Sequence, residues 1–300
     1  MDEDQIRRVR SFNRAVTRRI GVLSDSYLGG GRPLAEARLL FEIGRAGAEV
    51  RELRTRLSLD SAYLSRLLRS LEAQGLVESS TSSRDRRVRR ATLTRKGLRE
   101  VDGLERRSQA FAASMLAPLG RAQRERLVAA MSELERLLRA SAVEIAPADP
   151  AGADARTCLE AYYRELDERF ERGFAPDRGT PPAPAELVPP RGLFLVARLD
   201  GVPIGCGGLR TLERGTGEIK RMWVAPAARG LGVAQRILEA LEAHAAATGL
   251  GTLRLDTNQA LREAQGMYLR NGYREIPRYN DNPHAHHWFE KRGLRRRTPA

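Results

Sequence analysis

The sequence predicts two domains of different class: an all-α N-terminal half that carries one β-hairpin, and an α+β C-terminal half. Three observations predict this. The chain has 300 residues, roughly twice a common single domain. Its first half repeats apolar residues at spacings of three and four, then gives way to a basic, hairpin-like stretch. Its second half passes from short β-tending runs through a glycine turn into an amphipathic helix.

Composition narrows the function classes. A charged fraction of 30% beside a hydrophobic fraction of 41% argues against a disordered chain. No apolar run approaches the ~18 residues a membrane helix needs, and the start, MDEDQIRRVRSF, has no apolar signal core. Two cysteines, Cys158 and Cys206, are too few for a disulfide framework or a four-cysteine zinc site. A cytoplasmic protein with no membrane partner is expected. The net charge is +14, with 29 basic and 20 acidic residues in 1–150 against 23 and 18 in 151–300. The excess leans towards the first half and points to a polyanion there. Because 49 basic residues are Arg and only 3 are Lys, clustering says more than the total.

In the first half, Val9, Phe12, Val16, Ile20 and Leu23 mark an apolar helical face over 5–27. GGGRP at 29–33 breaks it, and Pro33 suits the first turn of a helix over 34–46 with Leu39, Leu40 and Ile43. A short helix at 49–57 follows. Asp60 or Ser61 caps the next helix, whose buried stripe is Leu64, Leu67, Leu68 and Leu71, with Gly75 as its left-handed end. Ser61, Tyr63, Ser65, Arg66 and Arg69 lie off that stripe, and their hydroxyls and guanidiniums suit phosphates and base edges. Two β-tending segments, 76–80 and 88–93, flank a tip with five arginines within 84–90. The arrangement reads as a winged helix-turn-helix, with the helix entering the major groove of double-stranded DNA and the wing reaching towards the minor groove. A solvated charged hairpin is the bland alternative.

The segments LSRLLRSLEAQGLVE and RDRRVRRATLTRKG resemble the MarR family of winged-helix regulators over about residues 5–140. The resemblance implies that Asp85 and Arg87 brace the wing as an ion pair, while Arg84, Arg86 and Arg89 touch DNA. It also implies a homodimer joined through the first and last helices of this domain. Residues 97–117 and 121–140 supply further helices, the second with Leu127, Met131, Leu134 and Leu138 as a stripe. A two-fold dimer reads a pseudo-palindromic operator. Residues 141–154 turn to small residues and Pro, with 143–145 a short strand. The expected domains are 1–141 and 142–294, followed by a basic tail at 295–300.

The second half opens with a helix at 155–172. Six prolines then mark an irregular loop over 173–192. Strands follow at 193–201 and 203–212, turned by Asp200-Gly201, and at 218–224. The turn Arg229-Gly230-Leu231-Gly232-Val233-Ala234 leads into a helix with Ala234, Ile237, Leu238 and Leu241 on its buried face. Two glycines let backbone N–H groups crowd around an anion at a helix N-terminus, and Arg229 adds charge. The spacing is neither a P-loop nor a dinucleotide fingerprint. A tight strand-to-helix connection is the competing account.

In context, Arg-x-x-Gly-x-Ala after a Val-x-Pro strand end resembles the acetyl-coenzyme A signature of the GNAT superfamily of N-acetyltransferases. TLRLDTN at 252–258, AQGMYLRNGY at 264–273 and HWFEKRGL at 287–294 extend the resemblance over about 142–294. It implies a mixed sheet in which the strands 218–224 and 252–258 splay apart. Met222, Trp223 and Val224 would take the pantetheine arm of acetyl-CoA, and Gly230 to Ala234 its pyrophosphate. Tyr268 matches the general acid that protonates the departing thiolate; a core tyrosine is the alternative. Glu218 matches the position of a general base; a strand-end charge paired with an arginine, or a water chain, is the alternative. An asparagine expected seven residues before the tyrosine is Leu261 here, and Asn258 stands as its substitute.

The acceptor is less defined. Lys220 and Arg221 are expected on opposite strand faces. Arg221, Tyr279 and Asn280 are the substrate candidates, and a small amino acid or amine metabolite is the first reading. A protein lysine is the second. His284, His286 and His287 lack a fourth ligand, so no metal is expected, and Cys206 reads as a buried strand residue. The whole chain then reads as a DNA-binding regulator joined to an acetyltransferase. The alternative is a regulator whose second domain only senses acyl-CoA or a ligand.

Overall fold

The computed structural model describes residues 2–21, 26–81, 89–178 and 181–295. They form two compact units, Met1–Ala130 and Met131–Ala300.

The first unit begins with α1 (Glu3–Ile20), capped by the Asp2 carboxylate and ended by Gly21 at φ 71. The helix expected over 5–27 therefore stops early, because a left-handed residue ends the hydrogen-bond ladder; Leu23 lies outside the described residues. α1 buries no side chain, and Ile6, Val9 and Phe12 are exposed. Then come α2 (Leu34–Ile43), β1 (Ala48–Glu49), α3 (Val50–Leu57), α4 (Ser61–Ala73), β2 (Val77–Thr81), β3 (Arg89–Leu93), α5 (Arg95–Leu116) and α6 (Arg121–Ser141). The division between the units falls within α6. Pro33 sits at the N-cap of α2 in extended backbone, one position before the helix proper.

The anticipated stripes make one core: Leu39, Leu40 and Ile43 of α2 meet Leu53 of α3 and Leu64, Leu68 and Leu71 of α4. Leu67 is only partly buried at its edge. Asp60, not Ser61, caps α4 by accepting the Tyr63 N–H at 2.8 Å. β1 had no sequence signal; it pairs antiparallel with β3, so the hairpin becomes a three-stranded sheet in the order β1-β3-β2. A polar clasp joins α2 to α4. Arg32 donates to Glu36 at 2.6 Å and to Gln74 at 2.7 Å, and Ser70 donates to Glu36 at 2.7 Å. Burial pushes the Glu36 carboxyl up, but the bonds from Ser70, Gln74 and Arg32 together hold it below the usual range.

The second unit contains β4 (Glu144–Pro147), α7 (Ala153–Arg169), β5 (Gly192–Leu199), β6 (Val202–Glu213), β7 (Thr216–Val224), α8 (Val233–Ala247), β8 (Thr252–Thr257), α9 (Arg262–Arg270), β9 (Arg274–Ile276) and β10 (His287–Arg292). The prolines between α7 and β5 make two short 3-10 turns, Pro176–Arg178 and Pro184–Glu186. One mixed sheet runs β4-β5-β6-β7-β8-β10-β9. The β5–β6 hairpin turns on Asp200 and Gly201, at φ 52 and 78, the two positive φ values a type I′ turn requires. Alternation along β5 explains why the sheet is covered twice. Leu193, Leu195 and Ala197 join the core of α8, while Phe194 and Val196 join Ala155 and Cys158 of α7 and Cys206 of β6. β7 and β8 are parallel and pair only from Thr216↔Thr252 to Glu218↔Arg254. Beyond Glu218 they part.

Gly97 decides the seat of α5. Thr94 Oγ1 accepts the Gly97 N–H at 3.0 Å and donates to the Gly75 carbonyl at 2.7 Å. A Cβ on Gly97 would lie 2.1 Å from the Leu76 carbonyl oxygen, a backbone atom that cannot swing away. Gly97→Ala is expected to lower stability by about 1–3 kcal/mol, read as an earlier urea midpoint in far-UV circular dichroism.

Candidate functional site

The site of the second unit begins with an irregularity in β7. Pairing with β6 runs to Gly208↔Lys220 and resumes at Cys206↔Trp223, so Arg221 and Met222 together face Gly207. This is a β-bulge. Arg221 takes φ 58, a costly value for a side-chain-bearing residue, and the Cys206 thiol donates to its carbonyl at 3.3 Å. Gly207 leaves the space: a Cβ there would lie 2.6 Å from both Met222 Sδ and Ile237 Cγ2. The bulge overturns the expectation that Lys220 and Arg221 face opposite ways. Both line one cavity, together with Met222.

Two cavities open where β7 and β8 part, of about 130 and 210 Å³. The smaller holds Tyr163, Phe174, Lys220, Arg221, Asp256, Asn282 and His284 in its wall. The larger, mainly apolar one holds Trp223, Val224, Ala234 and Met267. Tyr162, Met222, Leu261, Ala264 and Tyr268 belong to both walls. Tyr268 is 5% exposed; burial and then the charge of Asp256 push its phenol well above its ordinary value, so it stays protonated at neutral pH.

The glycine turn lies between β7 and α8. Gly230 and Gly232 take φ 81 and 74, and an added Cβ at either would meet nothing within 4 Å. Glycine is therefore needed for the left-handed backbone rather than for space. The first amide bond of α8 runs from Arg236 to the Gly232 carbonyl, which leaves the preceding amides, Val233 and Ala234 among them, without a carbonyl one turn back. Leu231 and Val233 bury their side chains in the core, so only backbone faces outward there. Arg229 is not a free charge: it donates to both oxygens of Glu165 at 2.6 Å and to the Val224 carbonyl at 3.1 Å. Glu165 also accepts the Trp223 indole N–H at 2.8 Å. Burial pushes the Glu165 carboxyl up, and the bonds from Arg229 and Trp223 lead the effects that hold it down.

A buried charge network fills the fork. Glu218, fully buried, pairs with Arg210 at 2.7 Å and Lys220 at 3.1 Å. It also accepts from Tyr279 Oη at 2.8 Å and Asn280 Nδ2 at 3.2 Å. Lys220 reaches on to Asp256 at 2.5 Å, and Asp256 accepts from Asn280 at 2.6 Å and Asn282 at 2.9 Å. Burial pushes the Asp256 carboxyl up, but Lys220, Asn280 and Asn282 together bring it below the usual range. Tyr279 and Asn280, expected at the substrate, are thus committed to the two carboxylates and line neither cavity. Glu218 lines neither as well. Asn258 is committed too: its Nδ2 donates to the His284 carbonyl at 2.7 Å and its Oδ1 accepts the Ala260 N–H at 2.9 Å. It holds the turn after β8 rather than replacing the asparagine that Leu261 displaces.

In the first unit, α4 presents Ser61, Arg66 and Arg69 as exposed and Tyr63 and Ser65 as half-buried residues. The Arg66 guanidinium lies 5.5 Å from the Tyr63 ring centroid, and Arg69 Nε donates to the Ser65 carbonyl at 3.3 Å. Arg89, at the start of β3, pairs with Glu72 of α4 at 3.1 Å. Arg84, Asp85, Arg86 and Arg87 lie outside the described residues.

Residues 31–88 match the family described as MarR family, and residues 159–273 match the Acetyltransferase (GNAT) family. The chain joins a MarR-family region to a GNAT-family domain. An IAA acetyltransferase of Azospirillum brasilense is 44% identical over 90 residues, which cover 29% of this chain and 58% of that protein. The chain thus spans under two thirds of this relative's length. A putative acyl-CoA N-acyltransferase of Klebsiella pneumoniae shares 26% identity over 51% of this chain and 97% of its own, with a TM-score of 0.40. A probable transcriptional regulator of Pseudomonas aeruginosa shares 21% identity over 44% and 98%, with a TM-score of 0.36.

Within the GNAT domain the structure brings Met222, Trp223, Val224, Arg229, Ala234 and Tyr268 around one cavity and Arg221 into the other. Sequence reasoning missed Asp256, Tyr162, Tyr163, Phe174, Asn282 and His284. Asp256 sat inside the motif read as a strand, where alternation alone could have turned it towards the fork. The aromatics come from α7 and from loops without a motif. Among the described residues no group of three or more His, Cys, Asp and Glu is arranged to hold a metal, and no helix is long and apolar enough to cross a membrane. His284 directs Nε2 to the Ala175 carbonyl at 3.0 Å, which makes that nitrogen the protonated one.

Asp256, held below its unfolded value near ~3.9, stabilises the fold above that pH. The contribution is lost as pH falls through the folded value. Wild-type stability is expected to drop as pH falls below about 5, and Asp256→Asn to show a shallower drop, read from urea midpoints along an acid series.

Proposed function

We propose that the GNAT domain transfers an acetyl group from acetyl-CoA to a primary amine, and that the MarR region binds operator DNA as a dimer. The observation that carries the enzymatic reading is the shared wall of two cavities at Tyr268, a buried phenol kept protonated. The residues fit the coenzyme: unbonded helix-start amides beside Gly230 and Gly232 suit a pyrophosphate, and the mainly apolar cavity beside Met222 to Val224 suits a pantetheine arm. When bound, acetyl-CoA supplies an activated acyl carbon and a thiolate leaving group.

The chain's own residues do the rest. The strand edge of Met222 to Val224, unpaired with β8, offers backbone N–H groups to polarise a carbonyl. Tyr268 gives its proton to the leaving sulfur. Asp256, ionised and lining the smaller cavity, holds the incoming ammonium through Oδ1. The ammonium loses one proton to water before attack and a second as the amide forms, and that second proton returns through water to the Tyr268 phenolate. Glu218 is a positioning residue in this reading: caged by Arg210 and Lys220, it fixes Lys220 and, through Asn280, Asp256. The acceptor is a small amino acid or amine metabolite. Tyr268→Phe is expected to lower kcat by about 10²–10⁴-fold with acetyl-CoA affinity retained, followed as CoA release across an amine panel. Tight acetyl-CoA binding by the wild type without release for any amine would instead favour a sensor.

On the DNA side, α4 is proposed to enter the major groove with Ser61, Tyr63, Ser65, Arg66 and Arg69. The Tyr63 ring against Arg66 limits where that guanidinium points. The exposed apolar faces of α1 and α6, with Ile6, Val9 and Phe12 on one and Met131, Leu137 and Leu138 on the other, support a dimer through these helices. Arg66→Ala is expected to weaken operator binding and, if Arg66 meets a phosphate, to reduce the salt slope by about one. Gel shifts at several salt concentrations measure both, and an unchanged affinity removes α4 from the interface.

A further inference from the structure

Four rings run in sequence along the wall of the smaller cavity. Ring centroids of Tyr162 and Tyr163 are 5.6 Å apart, those of Tyr163 and Phe174 5.5 Å, and those of Phe174 and His284 4.8 Å. All four line the cavity. Phe170 braces the row from behind, edge-on to Phe174 at 5.9 Å. An aromatic wall of this kind rewards a planar ring more than an aliphatic chain, because ring pairs gain beyond their buried area.

The same cavity holds a cation without a counter-ion. Arg169, Arg198, Arg210, Arg229 and Arg254 each pair with a carboxylate. Arg221, half-buried in the cavity wall, has no carboxylate partner among the described residues; its guanidinium donates to the Pro182 carbonyl at 3.2 Å. A guanidinium presents several donors in a planar fork that fits a carboxylate. The β-bulge keeps it there: at φ 58 the backbone of Arg221 leaves the strand's alternation and places this side chain beside Lys220 and Met222. Asp256 lines the same wall: its Oδ2 is taken by Lys220 at 2.5 Å and Asn280 at 2.6 Å, while Oδ1 carries one bond, from Asn282 at 2.9 Å, and can accept another.

We propose that the acceptor is an aromatic α-amino acid: its ring lies against the aromatic wall, its carboxylate meets Arg221, and its ammonium is held by Asp256. This inference rests on the acetyltransferase reading and narrows its substrate class.

The full-length protein is tested with phenylalanine, phenethylamine and leucine, with CoA release and the mass of the acetylated product as readouts. Phenylalanine is expected to show a KM at least about tenfold below the other two, since a charge-assisted contact and a ring contact are each absent from one of them. Arg221→Gln is expected to erase the preference over phenethylamine, and Phe174→Ala the preference over leucine. Calorimetric binding of acetyl-CoA reports that each variant is folded. Acetylation of leucine or phenethylamine at a KM equal to or below that of phenylalanine overturns the inference and leaves acetyl transfer standing. If no amine is acetylated, the acetyltransferase reading fails, and calorimetry with phenylalanine itself decides whether the site takes an aromatic amino acid. Binding that Arg221→Gln weakens about ten- to a hundredfold supports it, and no binding overturns it.

Discussion

The site of the GNAT domain depends on two parallel strands ceasing to pair. β7 and β8 share a register for three residues, and the register ends at Glu218 and Arg254. Just beyond, the bulge at Arg221 and Met222 turns β7 away from regular alternation. A parallel pair left unpaired in a protein interior would expose backbone donors and acceptors at considerable cost. Here the fork holds two cavities, where a ligand can meet those groups, and a network of buried charge. Glu218 lies between Arg210 and Lys220, and Lys220 bridges to Asp256. Removing one member of such a set leaves an uncompensated buried charge, a loss of about 3–5 kcal/mol, so the fork cannot relax piecemeal.

The cavities inherit their chemistry from this arrangement. Most charged groups in the two walls satisfy one another, Lys220 with Asp256 and Glu165 with Arg169 and Arg229, while Arg221 has no carboxylate partner among the described residues and Tyr268 keeps its proton. Arg229 and Glu165 illustrate the same logic on the other side. Their pairing, with Trp223 donating to the same carboxylate, neutralises the Arg229 charge at the glycine turn, where the backbone amides and the helix dipole face an anion and Arg136, itself paired with Glu133, donates to the Gly230 carbonyl at 2.6 Å. In the MarR region the corresponding device is the polar clasp of Arg32, Glu36, Ser70 and Gln74. It fixes α4 against α2 from the buried side and leaves the opposite side polar and exposed.

Much of this was legible from residue order. Leu64, Leu68 and Leu71 announced α4 because helical spacing of leucines is read along the chain. Asp200-Gly201 announced a hairpin because that pair tolerates positive φ. Gly230, Gly232 and Tyr268 stood in local motifs whose geometry is set within a few residues. The misses share a different origin. Nothing near Arg221 signals a bulge, because the space for it comes from Gly207 on the neighbouring strand. Asn258 and Tyr279 looked available because their partners, the His284 carbonyl and Glu218, are distant in sequence. β1 was invisible because two residues gain strand character only by pairing with β3.

The sequence by itself determined the two modules, their core stripes, the capped helices and the glycine turn, all of which follow from propensities and periodicities acting over a few residues. The tertiary structure alone decided which polar groups remain free to act. A carboxylate or guanidinium becomes functional or structural according to whether a partner from another element reaches it, and that is settled by packing across the sheet. For that reason Glu218 and Asn258 are committed within the fold, Asp256 lines the cavity already paired with Lys220, and Arg221 faces the cavity with no carboxylate partner among the described residues.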